Sequence, residues 1–226
     1  MKIESLDHVA LWVSNREELA EWMTAHVGMH VVEHTDAFTI VGSDARRGKL
    51  TLFVAEGERV PGPLARIVFR VTDLDEALSR LPDGLNVERG EDGVARFEAP
   101  AGLGVGLVQA DGTDYDIDHV VLLMRDPESA LHEFAGLGFR EDGNRLWAGD
   151  AYLWLDRGDV EASERPLLNH VAVRVESAED HIREARERRL DIADIKDAAN
   201  TYAIFVWGPE RVQIEYVEHK ASFSLV

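Results

Sequence analysis

Four short segments of the chain alternate between apolar and mixed positions, and each is followed by a helical pattern. They span residues 6–13, 64–71, 117–124 and 168–175. Because side chains alternate along a strand, the last segment separates into two faces. The apolar face carries Val171, Val173 and Val175. The mixed face carries His170, Ala172 and Arg174. The alternation predicts strands that are covered by helices on one side only.

Helix signals come at the same place after these strands. Asn15 and Asp126 are favourable N-cap residues, and Pro127 suits the first helical position. Gly28 and Gly138 stand where the first and third helices should end. Short alternating runs separated by turn residues follow each helix, which is typical of antiparallel strands. The repeating unit is therefore a strand, a helix and about three further strands, and it occurs four times.

The repeats divide the chain into two halves. Residues 6–13 recur as residues 117–124, and 111–114 has the composition of a linker. We therefore predict an α+β protein with an N-terminal domain at 1–112 and a C-terminal domain at 113–226. Helices outside and a mixed inner face indicate curved mixed sheets around a cavity.

Composition excludes several classes of partner. The 226 residues carry a formal net charge of −19 and no cysteine. An acidic surface repels nucleic acid and anionic lipid, so we expect neither partner. No apolar run approaches the roughly 20 residues that span a bilayer, and the acidic residues near the start are unlike a signal peptide. These features predict a cytoplasmic protein.

Two histidines and a glutamate form the candidate metal site. His119 and His170 occupy corresponding positions in the third and fourth units, whose strands we expect side by side. Glu215 falls on the same mixed face in the last strand. Two imidazoles and one carboxylate can cover one face of an octahedral ion, which suits Fe(II), Mn(II), Zn(II) or Ni(II). His8 repeats the pattern in the first unit without the matching partners, so we interpret it as structural and the first half as metal-free.

These motifs carry a family resemblance. Asp118-His119-Val120, residues 169–175 and residues 212–216 resemble the vicinal oxygen chelate superfamily, which includes glyoxalase I, bleomycin resistance proteins and extradiol dioxygenases. The resemblance implies four βαβββ units that form two glyoxalase-like domains. It also implies that His119, His170 and Glu215 hold Fe(II) in a dioxygenase that acts on a catecholic small molecule. Leu155, at the place of a fourth ligand in glyoxalase-type sites, favours the three-ligand pattern.

Two departures from the extradiol pattern leave the catalytic acid–base residue unknown. Phe205 stands where those enzymes usually carry a tyrosine, and the segment 191–201 contains no histidine. We predict Arg174 and Phe205 as substrate contacts. Two alternative functions stay open: a non-oxidative metal-dependent isomerase, lyase or resistance enzyme, and a metal-free drug-binding protein. Self-association as a homo-oligomer also stays open.

Overall fold

The computed structural model describes residues 1–160 and 165–223. Within this part of the chain, sixteen strands form two mixed eight-stranded sheets, and the fold class is α+β as predicted. Each sheet contains two βαβββ units.

The first sheet has the strand order β14-β15-β16-β13-β1-β4-β3-β2. Its strands are β1 (Ser5–Val13), β2 (His30–His34), β3 (Phe38–Asp44), β4 (Arg47–Val54), β13 (Leu168–Arg174), β14 (Ile192–Asp197), β15 (Thr201–Trp207) and β16 (Gln213–His219). The second sheet has the order β10-β11-β12-β9-β5-β8-β7-β6. Its strands are β5 (Leu64–Val71), β6 (Glu88–Arg89), β7 (Ala95–Ala99), β8 (Leu103–Gln109), β9 (Ile117–Met124), β10 (Arg140–Asp142), β11 (Arg145–Ala148) and β12 (Ala151–Arg157).

The order of strands shows which units are neighbours. β1 of the first unit pairs antiparallel with β13 of the fourth, and β5 of the second pairs antiparallel with β9 of the third. The expectation that units three and four lie side by side is therefore wrong. Each sheet takes one unit from residues 1–112 and one from residues 113–226. The alternation of side chains determines which face of each strand is buried. It does not determine whether the fourth unit pairs with the third unit or with the first.

The helices begin where the sequence predicts them. They are α1 (Arg16–Trp22, continued by a π-helical turn at Met23–Val27), α2 (Leu74–Ser79), α3 (Pro127–Gly136) and α4 (Ala178–Arg188). In each, the side chain of the N-cap residue accepts a hydrogen bond from the third residue along: these caps are Asn15, Asp73, Asp126 and Ser177. Gly28 ends the π-helical turn at φ 86°, and an added Cβ there would lie 2.5 Å from the Tyr115 ring.

The apolar face of each first strand is buried. Val9, Leu11 and Val13 are fully inaccessible, as are Val171 and Val173. They belong to one hydrophobic cluster that includes the buried faces of the helices. The opposite, mixed face of the first sheet is therefore left to line a cavity. No helix in residues 1–160 and 165–223 has the length and apolar character needed to cross a membrane.

Candidate metal centre

Three ionisable side chains meet on the mixed face of the first sheet. His8 lies on β1, His170 on β13 and Glu215 on β16, three strands that are adjacent. His8 pairs with Ala172 and His170 pairs with Ala10 across the antiparallel β1–β13 ladder. Glu215 stands opposite Ala172 on the parallel β13–β16 ladder. The register brings all three side chains to one point.

The potential ligand atoms are close together. Nε2 of His8 lies 3.1 Å from Nε2 of His170, and Oε2 of Glu215 lies 2.8 Å from His170 Nε2 and 3.3 Å from His8 Nε2. Two ligands that are each about 2.1 Å from a metal and at right angles are about 3.0 Å apart. The spacing therefore fits one triangular face of an octahedral site.

Hydrogen bonds at the other ring nitrogens leave the Nε2 atoms free for a metal. His8 Nδ1 is 2.8 Å from Asp7 Oδ2, and His170 Nδ1 is 2.9 Å from Asn169 Oδ1. Because both partners are acceptors, each Nδ1 donates and each neutral ring presents a lone pair at Nε2. Two lone pairs and a carboxylate facing one another repel unless a cation or a proton lies between them. The donor set thus fits a divalent metal.

The pKa values of the three groups follow from burial and from one another. Burial raises the pKa of Glu215, but the two histidines outweigh it and lower that pKa to about 2. Burial lowers the pKa of His8, whereas hydrogen bonds with Asp7 and Glu215 raise it to about 8. Burial keeps the pKa of His170 below its usual value. Without metal, at neutral pH, the shared proton therefore resides on His8.

A buried charge cluster supports His8 from behind. Asp7 is 1% exposed, and its Oδ2 also forms an ion pair with the Lys49 ammonium at 2.9 Å. Its Oδ1 lies 3.0 Å from Nε2 of His219, although the two atoms are not aligned as in an ordinary hydrogen bond. Burial raises the pKa of Asp7, yet Lys49 and both histidines hold it well below the usual value. Asp7 is therefore an anion that fixes the His8 ring.

A cavity of about 800 Å³ opens over the three ligand candidates. Its size suits a small organic molecule. The wall contains six aromatic rings: Trp12, Phe38, Phe53, Phe205, Trp207 and Phe223. Aromatic faces with a polar centre favour a flat ligand that carries its polar groups on one edge.

The structure does not bring His119 to this cluster. His119 lies on β9 in the second sheet, where its ring stacks on Tyr152 with centroids 4.7 Å apart and its Nδ1 bonds Asp118. The expected neighbour of His170 is wrong because β13 pairs with β1, so His8 takes the place that we predicted for His119. His170 and Glu215 meet as predicted.

The two predicted substrate contacts have different surroundings. Phe205 lines the cavity and meets the His170 ring edge-on, with centroids 5.2 Å apart. Arg174 does not line it, because its guanidinium donates a hydrogen bond to Glu4 at 3.0 Å. Tyr202, which could have supplied a phenol, bonds Glu179 on the helix side instead.

The pseudo-twofold relation of the two units locates a fourth ligand position. Ala172 stands opposite Glu215, and the equivalent Ala10 stands opposite Thr51. Thr51 is thus the counterpart of Glu215 and replaces a possible second carboxylate by a neutral hydroxyl. The same register in the second sheet gives Trp154 and Gly106 as the counterparts of Glu215. Our assignment of Leu155 to this position is therefore corrected to Trp154.

Sequence reasoning missed His8, although a local signal marked it. Each of three first strands has an acidic or amide residue immediately before its histidine, and each pair is hydrogen bonded through Nδ1. His8 is also the repeat counterpart of His170. The signal identifies three rings of fixed orientation, and only the pairing of strands shows which two of them meet.

Comparison with known proteins agrees with this geometry. The profile of the Glyoxalase/Bleomycin resistance protein/Dioxygenase superfamily matches residues 5–92. This segment, less than half of the chain, is therefore similar to a domain of that superfamily. No curated protein sequence matches the chain. The matched segment includes His8 and Thr51.

Solved structures are similar to nearly the whole chain. Glyoxalase I from Zea mays has a TM-score of 0.76 at 16% identity and covers 95% of this chain and 92% of its own. A candidate dioxygenase from Bacillus subtilis subsp. subtilis str. 168 has a TM-score of 0.79 at 15% identity, over 98% of this chain and 87% of its own. The cppA protein from Streptococcus pneumoniae TIGR4 has a TM-score of 0.68 at 15% identity, over 96% of this chain and 100% of its own. These likenesses show that the fold is shared over both halves of the chain.

Proposed function

We propose that the protein is a metal-dependent vicinal oxygen chelate enzyme whose metal ligands are His8, His170 and Glu215. The main support is that the Nε2 atoms of His8 and His170 and the Oε2 atom of Glu215 lie within 3.3 Å of one another. Each histidine is fixed by a hydrogen bond at Nδ1, which is the usual support for a metal-binding imidazole.

We further propose an Fe(II) extradiol-type dioxygenase that acts on a catecholic small molecule. Two histidines and one carboxylate with open positions are the ligand set of non-haem Fe(II) oxygenases. Thr51 at the fourth position supports this choice over a four-ligand site. Bound Fe(II) would supply Lewis acidity and one-electron chemistry toward dioxygen. Both oxygen atoms enter the ring-cleaved product, so the reaction needs no separate reductant.

The chain's own residues have separable roles in this reaction. His8, His170 and Glu215 hold the metal, and with a divalent ion their centre has a formal charge of +1, which attracts an ionised hydroxyl. Phe205 and the other aromatic rings of the wall pack against the substrate ring and exclude water. The cavity volume of about 800 Å³ has room for a small organic substrate.

A second candidate is a non-oxidative isomerase, lyase or resistance enzyme that uses Mn(II), Zn(II) or Ni(II). One observation favours it: Phe205, rather than a titratable side chain, contacts the His170 ring in the cavity. A dioxygenase of the extradiol type usually has an acid–base residue near its ligands, whereas polarisation of a carbonyl by a metal needs none at that position.

The test begins with protein that is loaded anaerobically with Fe(II). We expect a panel of catechols to give a yellow ring-fission product together with iron-dependent oxygen uptake. His8→Ala should abolish both signals, and the matched variant His119→Ala should retain them. Activity that survives without air and prefers another metal would select the second candidate. Ligand binding by a protein that takes up no metal would identify a metal-free binding protein and refute both.

A further inference from the structure

The segment 220–223 covers the buried charge cluster behind His8. The Phe223 ring lies on the His219 ring with centroids 4.0 Å apart and an angle of 6° between the planes. The Lys49 ammonium is 5.5 Å from the centroid of Phe223, and the Arg46 guanidinium is 5.6 Å from it. One aromatic ring therefore contacts the side chains on both sides of Asp7.

This cover is fixed to the fourth unit by hydrogen bonds. The backbone N–H of Lys220 donates to Asn200 O at 2.9 Å, and Ser222 Oγ donates to Ala199 O at 2.8 Å. The Lys220 ammonium donates to Ala198 O at 2.5 Å and pairs with Asp197. Because Lys49 and Arg46 belong to the first unit, Phe223 links the two units that share the site.

The cover keeps the charge cluster dry. Lys49 is 3% exposed and the His219 side chain 8% exposed, although both lie beside an open cavity. Neither ring nitrogen of His219 makes an aligned hydrogen bond within the described residues. Attraction between charges weakens as water enters, so loss of this cover would loosen the hold of Lys49 and His219 on Asp7. Asp7 would then hold the His8 ring less firmly.

We propose that Phe223 is a positioning residue for the metal ligand His8, and that it acts through Lys49, His219 and Asp7. The inference rests on the proposed function, since it assigns His8 to a metal. Phe223 stacks on His219, and His219 Nε2 lies 3.0 Å from Asp7 Oδ1. Asp7 also forms an ion pair with Lys49, and it accepts the 2.8 Å hydrogen bond from His8 Nδ1. Phe223 itself touches none of the three ligands.

The first measurement is the affinity for Co(II), a spectroscopic probe that needs no substrate. Asp7→Asn removes the carboxylate that holds His8 and should weaken binding about 10- to 100-fold. Phe223→Ala acts one contact further away, and we expect a loss of about threefold to tenfold. Phe223→Leu keeps an apolar cover and should restore most of the affinity. Trp147→Ala, which removes a ring that packs on Tyr152 in the second sheet, should leave the affinity unchanged.

The second measurement reads the His8 ring without metal. Long-range proton–nitrogen spectra at pH 9, above the pKa of about 8 for His8, should show a single Nδ1–H tautomer in the wild type. Phe223→Ala should give a mixture of tautomers while circular dichroism shows an intact fold. If Phe223→Ala has wild-type affinity and a single tautomer while Asp7→Asn loses both, the proposal is overturned. A wild type that binds no Co(II) but loses its single tautomer in Phe223→Ala would refute the metal and keep the positioning role.

Discussion

Metal binding should release the proton that His8 carries in the metal-free protein. Glu215, with a pKa of about 2, is already ionised at pH 7, and burial keeps His170 neutral. Only His8, with a pKa of about 8, holds a proton that must leave before its Nε2 can bind a metal. About 0.9 proton should therefore leave per metal ion at pH 7.

Competition between the proton and the metal for His8 Nε2 sets the pH dependence of the metal affinity. Since the metal binds only the neutral ring, the apparent affinity should fall about tenfold per pH unit below 8. Binding at pH 6 should be about 100-fold weaker than at pH 9. The raised pKa of His8 extends this loss of affinity up to about pH 8. With an ordinary histidine pKa, the affinity would no longer depend on pH above about pH 7.

Titration calorimetry with Co(II) in two buffers of different ionisation enthalpy measures the number of protons directly. Asp7→Asn is the matched variant, because it removes a hydrogen bond that raises the pKa of His8 and should reduce the proton count at pH 7. Clear binding by the wild type at pH 7 with less than about 0.3 proton released would refute the assignment of the proton to His8.

Three further results are expected. Metal-free protein should lose about 2 kcal/mol of unfolding free energy as the pH rises through 8. Protonated His8 stabilises the folded protein, and this stabilisation is complete only below the unfolded pKa of 6.5. Urea unfolding at pH 6 and pH 9 measures the difference, and equal stability at the two pH values would contradict it. Thr51→Glu should raise Co(II) affinity more than about tenfold in competition with a chelator, whereas Thr51→Gln should not; no gain would disprove its equivalence to Glu215. His119→Ala should keep full Co(II) affinity and lose about 1 kcal/mol of stability with its Tyr152 stacking, and loss of metal would return His119 to the ligand set.

Local chemistry made much of the fold predictable. Alternation assigned the buried face of the first strands, and Asn15 and Asp126 cap the helices they were expected to cap. Glu215 was placed on the correct face of the last strand, because the period of two leaves only one choice per residue. These features depend on neighbours in the sequence, so they can be derived from it.

Which strands become neighbours was not predictable in the same way. β1 and β9 have nearly the same pattern, and either could supply a histidine next to His170 on grounds of alternation. Which of the two histidines lies next to His170 depends on the pairing of strands that are far apart in the sequence. His8 and His170 are 162 positions apart. The roles of Lys49, His219 and Phe223 were missed because they also depend on pairing. Lys49 reaches Asp7 through the pairing of β4 with β1 inside the first unit, whereas His219 and Phe223 come there only after the first and fourth units have paired.

The pairing of the first unit with the fourth also has a consequence for how the protein matures. During synthesis β1, with His8, waits unpaired on one edge until β13 has left the ribosome. Closure over such a long sequence separation is entropically costly and slow. Under the proposed function, uptake of the ion would be a late event in biogenesis, and a product terminated before β13 would carry one of the three candidate ligands, His8, without the other two.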